Sequence, residues 1–324
     1  MDTYNKRAGA RKSWQRELTA FAFATVVLGI PTAGRATESG LGRPLTGMQI
    51  APYMGIVPPT SDWIFSVSTI YYEGSLGKTK SIPIAGTVSA GLNYHIEYTI
   101  LNAVKTWGIT AGGWNFASSF GVPFQYTSIS SFNGRLPNDS GTQFTDIFFT
   151  PVVAGYHLTK TDHIALSVQM YAPTGAYNVN RLANPGLNTW TFIPTVAYTK
   201  LLPEHNIELS ANYGVEFYTA NNETHYHNAP LSVLDLLALK RFTGGWGVGV
   251  VGGWIQQLGQ DTGGLAEVTG GTAGHSLGIG PMATWSGKLS STPVSASLRW
   301  VNEFAARDRP KGNAVELSIS ATFQ

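Results

Sequence analysis

Ile207-Glu-Leu-Ser-Ala-Asn-Tyr-Gly-Val-Glu-Phe-Tyr218 alternates over its whole length. Ile207, Leu209, Ala211, Tyr213, Val215 and Phe217 share one side of an extended chain. Glu208, Ser210, Asn212, Gly214, Glu216 and Tyr218 take the other. A helix spaces its apolar residues by three and four, so a period of two predicts a strand. The same pattern returns at both ends of the chain. Val88, Ala90, Leu92, Tyr94, Ile96, Tyr98 and Ile100 oppose Ser89, Gly91, Asn93, His95, Glu97 and Thr99. Val294, Ala296, Leu298 and Trp300 oppose Ser295, Ser297 and Arg299, and Val315, Leu317, Ile319, Ala321 and Phe323 oppose Glu316, Ser318, Ser320, Thr322 and Gln324.

About twelve such segments are predicted, at 62–74, 86–101, 107–127, 142–158, 162–173, 188–200, 205–220, 229–242, 245–258, 274–286, 292–304 and 313–323. The run Pro230-Leu-Ser-Val-Leu-Asp-Leu-Leu-Ala-Leu239 fits a helix by pattern as well as a strand. Tight connections such as Leu158-Thr-Lys-Thr-Asp162 and Thr243-Gly-Gly245 alternate with longer ones such as Ser128–Gly141, Thr174–Leu187 and Gly259–Ala273. Short turns on one side and longer loops on the other are the layout of an outer-membrane barrel, and an even strand count puts both termini in the periplasm. A soluble sandwich would also alternate, but only 12% of the residues are charged, and the face opposite the apolar one is mostly Ser, Thr, Gly, Asn and Gln. A propeller repeat near 40 residues is not found. The expected fold is all-β, a single transmembrane antiparallel barrel over 62–324. Its apolar face meets lipid, with Leu209, Leu298 and Ile319 outside and Glu208, Arg299 and Ser318 inside. Trp63, Trp107, Tyr198, Trp246, Trp285 and Phe323 would form a periplasmic girdle, and Tyr71, Trp190, Trp254 and Trp300 an outer one.

Residues 1–36 read as a secretory signal. Lys6, Arg7, Arg11, Lys12 and Arg16 precede an apolar run from Leu18 to Ile30, and small residues Ala33 to Ala36 follow. The run is too short to cross a bilayer, which takes about 20 residues. Without the leader, the overall charge of +2 becomes negative, and no basic nucleic-acid-binding surface is expected. The chain has no Cys, so it has no disulfide, thiolate metal site or cysteine nucleophile.

Three stretches carry more than the barrel pattern: Met54-Gly-Ile-Val-Pro-Pro59, the loop from Tyr171 to Phe192, and Glu303-Phe-Ala-Ala-Arg-Asp-Arg-Pro-Lys-Gly312. With these, the chain from about Met54 to Phe323 resembles the SphA family of outer-membrane proteins, also labelled the meta-pathway of phenol degradation family. The resemblance implies a transporter-like barrel in the cell outer membrane, linked to uptake of aromatic or other apolar compounds for catabolism. Within the motifs, Arg181, Asn184, Pro185, Gly186, Arg307, Asp308, Arg309 and Pro310 are candidate outer-loop residues, serving either loop folding or a ligand gate. The arginines could pair with Asp308 or with lipopolysaccharide phosphates. The ending Leu317-Ser-Ile-Ser-Ala-Thr-Phe323 resembles the last-strand signal of outer-membrane barrels, with Gln324 added, which makes the barrel-assembly machinery an expected partner.

The alternation places His95, Glu97, Asp146, Glu208, Glu216, Arg299 and Glu303 in the lumen, as structural ion pairs or as the lining of a polar path. No catalytic, metal or cofactor residue is assigned. No Gly-x-Ser-x-Gly elbow supports an esterase, the spaced histidines of Thr224-His-Tyr-His227 lack a third ligand, and the glycines of Gly244–Gly249 and Gly252-Gly253 precede no helix. Residues 37–61 are either a plug folded into the barrel mouth or a periplasmic tail. The expected function is passive uptake of small hydrophobic, aromatic solutes. The alternative is a structural or adhesive barrel.

Overall fold

The computed structural model describes residues 41–84, 87–131, 138–264, 266 and 274–324, with no account of the side chains of 78–90. The predicted signal, 1–36, lies outside the described residues. Thirteen strands form one antiparallel sheet: β1 (Trp63–Ile84), β2 (Thr87–Ala111), β3 (Trp114–Ser131), β4 (Asp139–Phe144), β5 (Phe148–His157), β6 (Asp162–Tyr171), β7 (Thr191–Leu202), β8 (Ile207–Tyr218), β9 (Leu231–Arg241), β10 (Trp246–Gln257), β11 (His275–Leu289), β12 (Thr292–Arg307) and β13 (Lys311–Phe323). Each pairs with its sequence neighbour, except that β4 lies against β3 alone. The sheet closes where β1 meets β13, with Trp63 opposite Phe323 and Ser75 opposite Lys311. A closed sheet leaves no row of unpaired backbone groups facing hydrocarbon.

The predicted fourth segment, 142–158, is broken in two. β3 pairs with β4 over Phe124–Ile129 and with β5 over Trp114–Gly121. Thr145, Asp146 and Ile147 between them leave the ladder, and the Asp146 carboxylate is spent on side-chain and loop contacts described below. The ring itself therefore holds twelve strands, with β4 as an extra outer piece. Residues 75–84, which fall between the predicted segments 62–74 and 86–101, are also strand: β1 runs to Ile84 and pairs with β2 across an irregularity between Leu76 and Ser81. Leu231–Arg241 is a strand and not a helix, held on both sides by β8 and β10.

The outer face is apolar as expected. Leu298, Leu317 and Ile319 are about half exposed, and Leu209, Leu236 and Val250 are also exposed. Soluble proteins rarely expose so continuous an apolar band, and lipid is the solvent that fits it. β2 departs from the expected parity. Tyr72 opposes Ile96 and Tyr71 opposes Glu97, so the apolar residues Leu92, Tyr94 and Ile96 point inward with Tyr72. His95 and Glu97 therefore face outward and do not line the lumen. They pair with each other at 3.3 Å, and the His95 ring meets Tyr71 and Tyr126 edge-on. The reason is height. His95 sits ten residues above Lys105, which opposes Trp63 at the periplasmic rim. At about 3.3 Å per residue and a tilt near 40°, that is about 25 Å, the full height of the apolar band. His95 is thus at the outer edge of the band and Glu97 about 5 Å lower, where the pair reaches the headgroups.

Candidate functional site

What Leu92, Tyr94 and Ile96 meet is chain from before β1. Residues 41–62 run inside the barrel. Met48 and Ile50 are buried in one apolar cluster with Tyr72, Leu92, Tyr94, Ile96 and Ile129. Leu182 and Ala183, from the loop between β6 and β7, enter the same cluster from the extracellular side. The segment has no sheet partners, so its backbone groups need others, and the barrel wall supplies them.

The order of anchors follows the chain. Arg309 donates to the carbonyls of Leu41 (2.6 Å) and Pro44 (3.0 Å). Arg43 pairs with Asp146 at 2.6 Å, donates to Thr191 Oγ1 and the Thr189 carbonyl, and lies over the Tyr171 ring. Thr46 donates to Glu303 Oε1 at 2.6 Å, while Glu303 Oε2 accepts from Tyr72 and from the Gly312 amide. Asp235 accepts the amides of Gly47 and Gln49, one on each oxygen. Arg299 donates to the carbonyls of Gly47 and Ile50 and pairs with Glu316 at 2.6 Å. Glu208 accepts the Tyr53 amide at 2.6 Å and pairs with Arg241, whose guanidinium covers the Tyr53 ring. Gly55 donates to Thr199 Oγ1, and Asn115 donates to the Val57 carbonyl.

Two glycines let the segment lie this close to the wall. A Cβ on Gly253 would come within 2.3 Å of both the Gly47 amide and Asp235 Oδ1. One on Gly55 would come within 2.6 Å of the Thr199 amide.

Below the apolar cluster the lumen opens. A cavity of about 630 Å³ lies between the segment and the periplasmic half of the wall. Its lining mixes hydroxyls and amides, among them Ser66, Ser68, Asn102, Ser167, Ser297 and Ser318, with a larger apolar share that includes Ile64, Ile100, Phe148 and Ile193. Glu216, Glu316, Arg241 and Arg299 supply charge.

Asp146, Glu208, Glu216, Arg299 and Glu303 thus all point inward and are buried, and all but Glu216 bond the segment or a residue on it. Of the outer-loop motif, Arg309 reaches the segment directly, and Asp308 carries the left-handed backbone (φ 55°) that turns β12 into β13 beside Pro310. Arg307 is exposed and sits 3.3 Å from Asp308. Arg181 grips Asp139 at 2.8 Å, Asn184 donates to the carbonyls of Asn178 and Arg181, Pro185 accepts from Thr145, and Gly186 bonds Ala176. Burial pushes the Asp139 carboxyl up, but hydrogen bonds from Arg181 and the Ala183 amide outweigh it and hold it below its usual range.

Arg43, Thr46, Asp235, Arg241 and Glu316 were not anticipated as site residues. Glu316 shares a face with Ser318, so the alternation already carried it inward. Asp235 hides in an apolar run, and Arg43 and Thr46 lie in a stretch without any period.

A family model described as putative MetA-pathway of phenol degradation matches residues 78–319. Among solved structures, the chain is similar to the COG4313 outer membrane channel from Pseudomonas putida F1. The identity is 17%, the TM-score 0.70, and 85% of this chain and 100% of that chain are covered. The β-domain of the Bordetella autotransporter BrkA aligns at 14% identity and TM-score 0.49, over 82% of this chain and 100% of that one. A Pseudomonas aeruginosa FadL homologue aligns at 9% identity and TM-score 0.43, over 91% and 99%. No curated protein matches the sequence.

Proposed function

From the premise that this chain belongs to the family described as putative MetA-pathway of phenol degradation, we propose that it is an outer-membrane channel for passive uptake of small hydrophobic, aromatic compounds. The observation that carries the reading is the lumen itself. It encloses a cavity of about 630 Å³ whose lining mixes hydroxyls with Phe148 and Ile193. That volume falls in the range of small-molecule sites, and the lining suits a solute with an apolar body and one polar edge. The sequence offers no nucleotide-binding motif, so movement follows the gradient.

In this reading residues 1–36 are a cleaved signal in a Gram-negative cell, 37–61 a plug and 62–324 the barrel. The plug is a fixed lining more than a loose tail, since each of Thr46, Gly47, Gln49, Tyr53 and Gly55 is tied to the wall. Lipid covers the outer face, lipopolysaccharide meets the rim arginines, and the assembly machinery reads the last strand. Asp146, Glu208, Glu303 and Arg299 work as anchors and not as catalytic groups. Deleting the gene should slow growth on a limiting aromatic carbon source and leave growth on succinate unchanged. Equal growth of both strains on the aromatic source at every concentration would return the protein to the structural-barrel reading.

A further inference from the structure

Each lumen carboxyl but one is committed. Asp146, Glu208, Glu303 and Glu316 are bonded to an arginine or to the lumen segment, and Asp235 to two of its amides. Glu216 is different. It is 2% exposed, it borders the cavity, and it takes part in none of the ion pairs formed among the described residues. Its Oε2 accepts a short hydrogen bond from Tyr218. Its Oε1 accepts no hydrogen bond from the described residues and is not fully buried.

The charges that line the cavity are Glu216, Glu316, Arg241 and Arg299. Arg299 is paired with Glu316, and Arg241 with Glu208. Glu216 is thus the lining charge without an ion-pair partner among the described residues, with Arg43 and Arg309 acting on it from farther off. An anion entering this space meets that carboxyl in a medium of low dielectric, where like charges repel more strongly than in water. A hydroxyl or ammonium group meets a free acceptor.

We infer that the lumen cavity discriminates by charge at Glu216: it takes an aromatic solute that is neutral with a hydrogen-bond donor, or cationic, and it turns away aromatic carboxylates. The inference rests on the uptake reading and adds the residue that sets its selectivity.

The test uses the full-length protein in nanodiscs at pH 7, with 4-fluorophenol and 4-fluorobenzoate as probes. Fluorine NMR line broadening is measured against empty nanodiscs, and folding of each variant is checked by heat-modifiable gel migration. Wild type should bind 4-fluorophenol at least about tenfold more tightly than 4-fluorobenzoate, a difference of about 1.4 kcal/mol. Glu216→Gln should narrow that ratio to under about threefold by admitting the benzoate. Ser297→Trp, which fills the cavity without touching Glu216, should abolish protein-dependent broadening of both probes. Equal binding of the two probes by wild type, or a ratio unmoved by Glu216→Gln, overturns the selectivity and leaves uptake standing. Broadening that survives Ser297→Trp places the probes elsewhere and overturns it too. No protein-dependent binding of either probe overturns both readings together.

Discussion

The two halves of the lumen solve opposite problems with one wall. On the extracellular side the inward faces are apolar, and Tyr72, Leu92, Tyr94 and Ile96 close on Met48 and Ile50 as a soluble core would. On the periplasmic side the inward faces carry Ser66, Ser68, Ser297 and Ser318, and a cavity remains. Buried acids and arginines run the height of this wall and hold the segment, from Arg309, Asp146 and Glu303 near the extracellular end, through Asp235 and Arg299, to Glu208 at the second position of β8. A barrel interior is thus not polar by rule. It takes the character of whatever it touches, protein in one half and solvent or solute in the other.

The sharpest way to break this contrast is to remove a central anchor of the segment. Arg299→Ala strands Glu316 in a buried site and frees the carbonyls of Gly47 and Ile50. Breaking a buried pair from one side costs about 3–5 kcal/mol. Urea unfolding in lipid vesicles should show that loss, and single-channel recording should show a larger or noisier conductance as the segment loosens. Unchanged stability and conductance would mean the anchors are idle.

Next in size is the lipid face that both halves share. Leu317→Arg lies near mid-height of β13, opposite Leu298, and should cost about 2–4 kcal/mol in the same unfolding assay. Leu209→Arg sits two residues from the start of β8 and should cost about 0–1 kcal/mol, because the penalty falls towards the interface. Equal costs would mean the barrel is set at a different depth.

Gly253→Ala tests how closely the segment is packed against the wall. Its Cβ has no room beside Gly47 and Asp235, and overpacking of this kind costs about 1–3 kcal/mol. The same change at Gly77, where a Cβ meets nothing within 4 Å, should be silent.

The smallest effect belongs to the loop that caps the extracellular half. The Asp139 carboxyl titrates below its unfolded value, because hydrogen bonds from Arg181 and the Ala183 amide outweigh the burial that raises it. The pair therefore steadies the loop at pH above about 4, the ordinary Asp value, and that contribution fades as pH falls below it. Limited proteolysis between pH 3 and 6 should show the loop opening at the acid end in wild type. Asp139→Asn should be equally susceptible throughout. A loop whose cleavage ignores pH in wild type would contradict this.

Most of the wall was legible in the sequence because a period of two is imposed by geometry wherever one face meets lipid. β8, β12 and β13 show it plainly, and their lipid faces carry Leu209, Leu298 and Ile319 as read. β2 misled for a physical reason. Its apolar residues Leu92, Tyr94 and Ile96 face a lumen that Met48 and Ile50 fill, and alternation alone cannot say which side meets lipid. The break at Asp146 was invisible too, since one departure from the ladder between Phe144 and Phe148 leaves no mark on an alternating pattern. The anchors on the lumen segment were the least legible. Arg43, Thr46 and Gly47 acquire partners 103 to 257 positions away, and nothing local encodes such pairing.

The uptake claim itself is tested most directly by the initial rate at which intact cells accumulate radiolabelled phenol at dilute external concentration, with the gene present and deleted. The account predicts a several-fold faster rate with the protein, with the advantage shrinking as concentration rises and diffusion through lipid dominates. Identical rates at every dilute concentration would contradict it.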